Sequence, residues 1–105
     1  MRFSGRSVIV TGAARGIGAA TAKAFAAEGA HVVVNDLAPG DAVVEEIRAA
    51  GGRAEYVPAD VSDHEQVRRL VDRTVELFGR LDVMAANAAF SERAKFWETS
   101  MEGFR

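Results

Sequence analysis

Short apolar runs alternate along this chain with longer stretches in which apolar residues recur at intervals of three and four. Ser7-Val8-Ile9-Val10 is a largely β-branched run closed by Thr11-Gly12, which predicts a buried strand opening into a turn. Ile17 to Glu28 is Ala-rich and predicts a helix, stopped by Gly29 through left-handed backbone. His31 to Asn35 is almost all valine, the pattern of a strand covered on both faces. After the loop Leu37-Ala38-Pro39-Gly40, a short helix is predicted from Asp41 to Ala50. Its Val43, Val44 and Ile47 share one face, and Gly51-Gly52 ends it.

Ala54 to Pro58 reads as a third strand. Ser62 with Glu65 three residues on predicts a capping box for the next helix. That helix places Val67, Leu70, Val71, Thr74, Val75 and Phe78 on one stripe and stops at Gly79. Its other face is charged, with Glu65 and Arg69 spaced as an i,i+4 pair. Leu81 to Ala86 is a fourth apolar strand. Ser91 to Arg105, carrying Phe96, Trp97, Met101 and Phe104, reads as a loop and the start of another helix. The β-α-β-α-β-α-β alternation predicts an α/β fold: a parallel sheet of about four strands, in the order 3-2-1-4, with helices on both faces.

Composition narrows the function classes. The chain has 105 residues, 49% hydrophobic and 27% charged, with a net charge of -2 and no cysteine. One domain is expected, able to bury roughly 60–70% of its extended surface. Without cysteine there is no disulfide framework or thiolate metal site, and two histidines leave little for any other metal. His31 and His64 read as surface positions. The slightly acidic balance argues against nucleic-acid binding. No apolar run approaches the roughly 20 residues of a membrane span. The first apolar stretch is shorter than a secretory signal requires, so a cytoplasmic location is expected.

The segment Thr11-Gly12-Ala13-Ala14-Arg15-Gly16-Ile17-Gly18 puts three glycines between the first strand and the first helix. A pyrophosphate can sit on a helix N-terminus only where no side chain blocks the backbone, and the last glycine lets the helix pack close to the strand. Asp36 follows the second strand, 18 residues beyond Gly18, close to the roughly 20 expected of an acid that accepts hydrogen bonds from an adenosine ribose. The plainer alternatives are a tight structural turn for the glycines and a solvated turn acid for Asp36. Asp60 by itself reads as a turn acid or an acid at the start of a helix.

Taken together, Thr11-Gly12-x-x-x-Gly16-x-Gly18, Asp36, Asp60-Val61 and Asn87-Ala88 resemble the N-terminal half of short-chain dehydrogenases/reductases, with a Rossmann-type fold. The resemblance runs from Phe3 to Arg105. It implies a dinucleotide cofactor, with Gly12, Arg15, Gly16, Ile17 and Gly18 around the pyrophosphate and adenosine. It also implies Asp60 and Val61 at the adenine and Asn87 with Ala88 near the ribose. Family members commonly read Asn-Asn-Ala-Gly where this chain has Ala86-Asn87-Ala88-Ala89. Ala86 loses a polar contact there, and Ala89 places a methyl group where glycine allows close approach. Arg15 belongs to a pattern associated with NADP and Asp36 to one associated with NAD. A 2′-phosphate beside Asp36 is repelled by about 4 kcal/mol at 4 Å, so NAD is favoured over NADP.

The family's catalytic tyrosine is followed by lysine four residues later, with a serine upstream. Here the single tyrosine, Tyr56, is followed at that distance by Asp60, and the lysines are Lys23 and Lys95. Tyr56 therefore reads as a packing residue in the third strand. No catalytic residue is assigned, and the chain is expected to stop before the catalytic segment and to lack turnover by itself. The expected parent reaction interconverts a secondary alcohol and a carbonyl by hydride transfer. The alternative is a non-catalytic dinucleotide-binding or scaffolding module. A second copy or a complementary chain is the expected protein partner, with no nucleic-acid or membrane partner.

Overall fold

The computed structural model describes residues 2–86. Four strands and three helices alternate: β1 (Ser7–Val10), α1 (Gly16–Ala27), β2 (His31–Asn35), α2 (Asp41–Ala49), β3 (Arg53–Val57), α3 (His64–Phe78) and β4 (Val83–Ala85). The strands form one parallel sheet in the order β3-β2-β1-β4, as the alternation predicts.

Period-two side-chain alternation divides the strand residues between two cores. Val8 and Val10, with Val32 and Val34, pack with α1 and α2 residues Ala19, Ala22, Val43, Val44 and Ile47. Ile9 and Val33, with Met84, face the other way onto Val67, Leu70 and Val71 of α3. The run of buried valines thus follows from a sheet covered on both sides. The crossovers through α1 and α2 move the chain to one side of β1, and α3 returns it to the other. The strand order therefore reverses between β1 and β4, and the C-terminal ends of strands at such a reversal are the usual ligand position in parallel sheets.

Several local expectations change. The N-cap of α3 is Asp63, whose carboxylate accepts the Glu65 amide; Ser62 does not cap the helix because its amide and hydroxyl both donate to Asp60 Oδ1. Val75 is 43% exposed, since the packed stripe on α3 is narrower than its apolar spacing. Glu65 and Arg69 do not pair; Arg73 instead reaches Glu76 at 4.0 Å. His31 is half-buried against the Phe78 ring, with centroids 5.2 Å apart, and burial and Arg53 lower its pKa. His64 is exposed as expected. β3 begins at Arg53 and ends at Val57, before Pro58, which has no amide hydrogen to donate.

β4 is shorter than its apolar run because the approach to it is occupied by a bracket. The Ser7 amide donates to Asp82 Oδ2 at 2.9 Å, and the Asp82 amide donates to the Ser7 carbonyl at 3.0 Å. The Arg80 guanidinium, with the Ser7 amide, holds the Asp82 carboxyl below the usual range, against opposing burial. Asp82→Ala leaves the buried Ser7 amide without that acceptor and is expected to cost about 1–3 kcal/mol. Because the folded-state pKa is lowered, this stabilisation is present above the ordinary aspartate range. It is lost as pH falls through the lowered value. Urea unfolding at pH 7 should therefore separate the variant from the parent, and the gap should narrow toward pH 3.

Candidate functional site

The turn between β1 and α1 is built for close approach of another group. Gly12 and Gly16 have φ of +61° and +62°, a region that favours glycine. A Cβ placed on Gly16 meets nothing within 4 Å. Arg15 occupies the N-cap position in extended backbone and makes no side-chain capping bond, and the first turn of α1 holds no acidic residue. The positive end of the helix is thus left uncompensated by its own side chains. Gly18 is buried on α1, at the position where glycine allows close helix–strand packing in such turns.

Hydrogen bonds fix this turn to its neighbours. The Thr11 amide donates to the Ala85 carbonyl of β4 at 3.1 Å, and the Ala13 amide donates to the Asn35 carbonyl of β2 at 2.9 Å. The Ala14 amide donates to Asp36 Oδ2 at 3.0 Å, and the Ala38 amide donates to Asp36 Oδ1 at 3.0 Å. One carboxylate thereby joins the glycine turn to the loop after β2. Each carboxylate oxygen has a second lone-pair direction, so these bonds orient Asp36 without exhausting it as an acceptor.

The same loop is held from β3. The Tyr56 hydroxyl lies 3.2 Å from the Asp36 carbonyl and 3.1 Å from the Ala38 carbonyl. A Cβ on Gly40 would come within 2.8 Å of both Tyr56 Cδ1 and Val34 Cγ1, so glycine permits this close packing. Burial, then the charges of Asp36 and Asp41, raise the Tyr56 pKa and keep the hydroxyl in its donating form. Tyr56 is the packing residue expected from its strand position, and its hydroxyl additionally anchors the loop.

At the end of β3, Asp60 builds the turn into α3. Its Oδ1 accepts the Ser62 amide at 2.9 Å and the Ser62 hydroxyl at 2.6 Å, while its own amide donates to Gln66 Oε1 at 2.7 Å. The plainer role of an acid at a helix start is therefore present. Val61 is half-buried against the α3 side of the core. Asn87 and Ala88 lie outside the described residues.

The structure brings Gly12, Arg15, Gly16, Ile17, Gly18 and Asp36 around the C-terminal ends of β1 and β2, with Asp60 and Val61 beyond β3. Ile17 is 77% exposed and Leu37 is 67% exposed, leaving two large apolar side chains in the turn and the neighbouring loop. Leu37 and Asn35 are not among the residues that sequence reasoning selects. The available signal for Asn35 is a polar residue closing a valine strand immediately before Asp36. Among the described residues, no cluster of three His, Cys, Asp or Glu side chains is placed to hold a metal ion, and no helix is long and apolar enough to cross a membrane.

The family profile described as short chain dehydrogenase matches residues 6–105. An uncharacterized oxidoreductase of Methylorubrum extorquens is 50% identical, the match covering 99% of this chain and 43% of that protein. The cis-4-hydroxycyclohexanecarboxylate dehydrogenase of Sinomonas cyclohexanicum is 47% identical over 98% of this chain and 42% of its own length. The crystal structure of a short chain dehydrogenase from Mycobacterium avium superposes with a TM-score of 0.83 at 46% identity, covering 86% of this chain and 35% of that one. The chain thus spans less than half the length of the relatives it matches.

Proposed function

This chain belongs to the short-chain dehydrogenase family, and we propose that it supplies the dinucleotide-binding part of an oxidoreductase that interconverts secondary alcohols and carbonyls, with NAD preferred to NADP. The carrying observation is the joint between the glycine turn and Asp36: an uncapped helix start and an oriented carboxylate lie side by side at the sheet's C-terminal edge. The residues present fit a dinucleotide. Open space over Gly16 admits a phosphate, and the α1 amides and Arg15 offer it donors and positive charge.

The bound dinucleotide would supply the hydride acceptor or donor for the reaction. Gly12 and Gly16 keep the backbone accessible, Gly18 lets α1 pack close to the sheet, and Ile17 supplies an apolar wall beside the turn. Asp36 accepts the two ribose hydroxyls, each charge-assisted bond contributing roughly 1.5–3 kcal/mol. A 2′-phosphate would instead meet that carboxylate. Asp60 and Val61 flank the adenine, and the family resemblance adds Asn87 and Ala88 near the ribose. Tyr56 takes no part in proton transfer, because its hydroxyl donates to the Asp36–Ala38 loop. The dehydrogenase of Sinomonas cyclohexanicum, named for a hydroxycyclohexane acid, supports a cyclic secondary alcohol as the substrate class.

Calorimetric titration of the polypeptide that carries these residues tests the reading. NAD should bind more tightly than NADP, and where these residues are joined to a catalytic Tyr-x-x-x-Lys segment, a panel of cyclic secondary alcohols should support NAD reduction. Equal or tighter binding of NADP would overturn the cofactor preference, and no binding of either dinucleotide would overturn the whole reading.

A further inference from the structure

Asn35 is 1% exposed in the last position of β2, on the sheet face that packs against α3. Asparagine is poorly suited to a strand interior, and a buried amide is costly unless its hydrogen-bonding groups are satisfied. Here its donor nitrogen is used across the sheet. Its Nδ2 donates to the Val57 carbonyl at 3.0 Å and lies 3.4 Å from the Ala59 carbonyl. An amide nitrogen carries two hydrogens, which matches the two carbonyls that face it. Its backbone carbonyl meanwhile accepts the Ala13 amide of the glycine turn at 2.9 Å.

These three bonds tie the Asn35-Asp36 segment to two others. Ala13 lies in the glycine turn, Asp36 is the next residue after Asn35, and Ala59 immediately precedes Asp60-Val61. β3 stops at Val57, and Pro58 cannot donate a backbone bond to hold the departing chain. The Asn35 side chain supplies that hold.

We propose that Asn35 is a positioning residue for the adenosine half of the dinucleotide, setting the distance between the ribose acid Asp36 and the adenine-side pair Asp60-Val61. It touches no ligand and acts through the segments it joins. This inference rests on the dinucleotide reading above. It adds that one buried amide determines how well the adenosine half binds while leaving the nicotinamide half unaffected.

Two variants test it in the full polypeptide, with ADP and nicotinamide mononucleotide titrated separately. Asn35→Val keeps strand preference but removes both donors; ADP binding should weaken about tenfold, with nicotinamide mononucleotide unchanged. Asn35→Asp keeps the shape but turns a carboxyl group toward two carbonyls. When ionised it has no hydrogen to give, and when protonated it can donate to one of them. Its ADP affinity should therefore be about tenfold weaker at pH 8 and recover toward the parent value at pH 5.5, relative to the parent at each pH. That pH profile also serves if Asn35→Val does not fold.

If the parent protein binds ADP and both variants bind it equally well, the role of Asn35 is overturned. Equal loss for ADP and nicotinamide mononucleotide, or an Asn35→Asp deficit that does not change with pH, overturns it as well. If the parent binds neither ligand, the dinucleotide reading itself has failed.

Discussion

Asp36→Ala is expected to reverse the preference for NAD over NADP. The carboxylate contributes in two directions. It accepts ribose hydroxyls, at roughly 1.5–3 kcal/mol for each charge-assisted bond, and it repels a 2′-phosphate by about 4 kcal/mol at 4 Å. Losing both bonds, about 3–6 kcal/mol, weakens NAD by about a hundredfold or more, since each 1.4 kcal/mol is tenfold. Losing the repulsion strengthens NADP, for which Arg15 is available in the adjacent turn as a positive partner. The ratio of the two dissociation constants should therefore move by at least about a hundredfold. Asp36 also accepts the Ala14 and Ala38 amides, so alanine loosens the turn for both cofactors alike. That common loss cancels in the ratio, which makes the ratio the quantity to measure. Asp36→Asn serves as the control: it keeps one acceptor oxygen and the side-chain shape while removing the charge. Preference for NAD that survives both substitutions would place cofactor selection elsewhere.

The fold was largely legible because burial on two faces leaves a plain pattern. A strand such as His31–Asn35 must be apolar at successive positions when helices cover both sides, and α3 shows its packed stripe in Val67, Leu70, Val71 and Thr74. Glycine stops were legible for a related reason: Gly29, Gly51 and Gly79 have φ of +90°, +90° and +81°, where a side chain is strained. The candidate site was legible only as residue types. Gly12, Gly16 and Asp36 stand where the pattern expects them, but the carboxylate's bonds to Ala14 and Ala38 depend on backbone amides that carry no sequence signature.

Two of the changed expectations share one physical origin. Polar side chains have several local partners, and spacing does not choose among them. Ser62 has the spacing of a cap, yet Asp60 takes both of its donors, and the cap passes to Asp63. Glu65 and Arg69 have the spacing of an ion pair, but on an exposed helix face such a pair contributes only tenths of a kcal/mol and is not selected. Asn35 carries no local signal for the opposite reason. Its partners are 22 and 24 residues away, across a strand pair that only the assembled sheet brings together.

Gly16→Val is expected to remove dinucleotide binding while leaving a folded protein. At φ +62° an L-residue incurs a backbone penalty of roughly 1–2 kcal/mol, with a β-branched side chain toward the upper end. No neighbouring atom adds to this, because the space around the Cβ position is open. The stability loss should therefore stay near that range, within the 5–15 kcal/mol typical of a folded domain. For a ligand the balance differs. The same open space is where a phosphate must approach the α1 amides, and two added methyl groups fill it. Each displaced amide contact is a charge-assisted bond of roughly 1.5–3 kcal/mol, so losing two of them weakens binding by more than about a hundredfold. Gly16→Ala should fall between, with most of the backbone penalty and less obstruction. Thermal unfolding and NAD titration of the same preparations separate the two effects. A Gly16→Val protein that is destabilised yet binds NAD like the parent would show that the glycine serves the turn alone and that the phosphate, if bound, lies elsewhere.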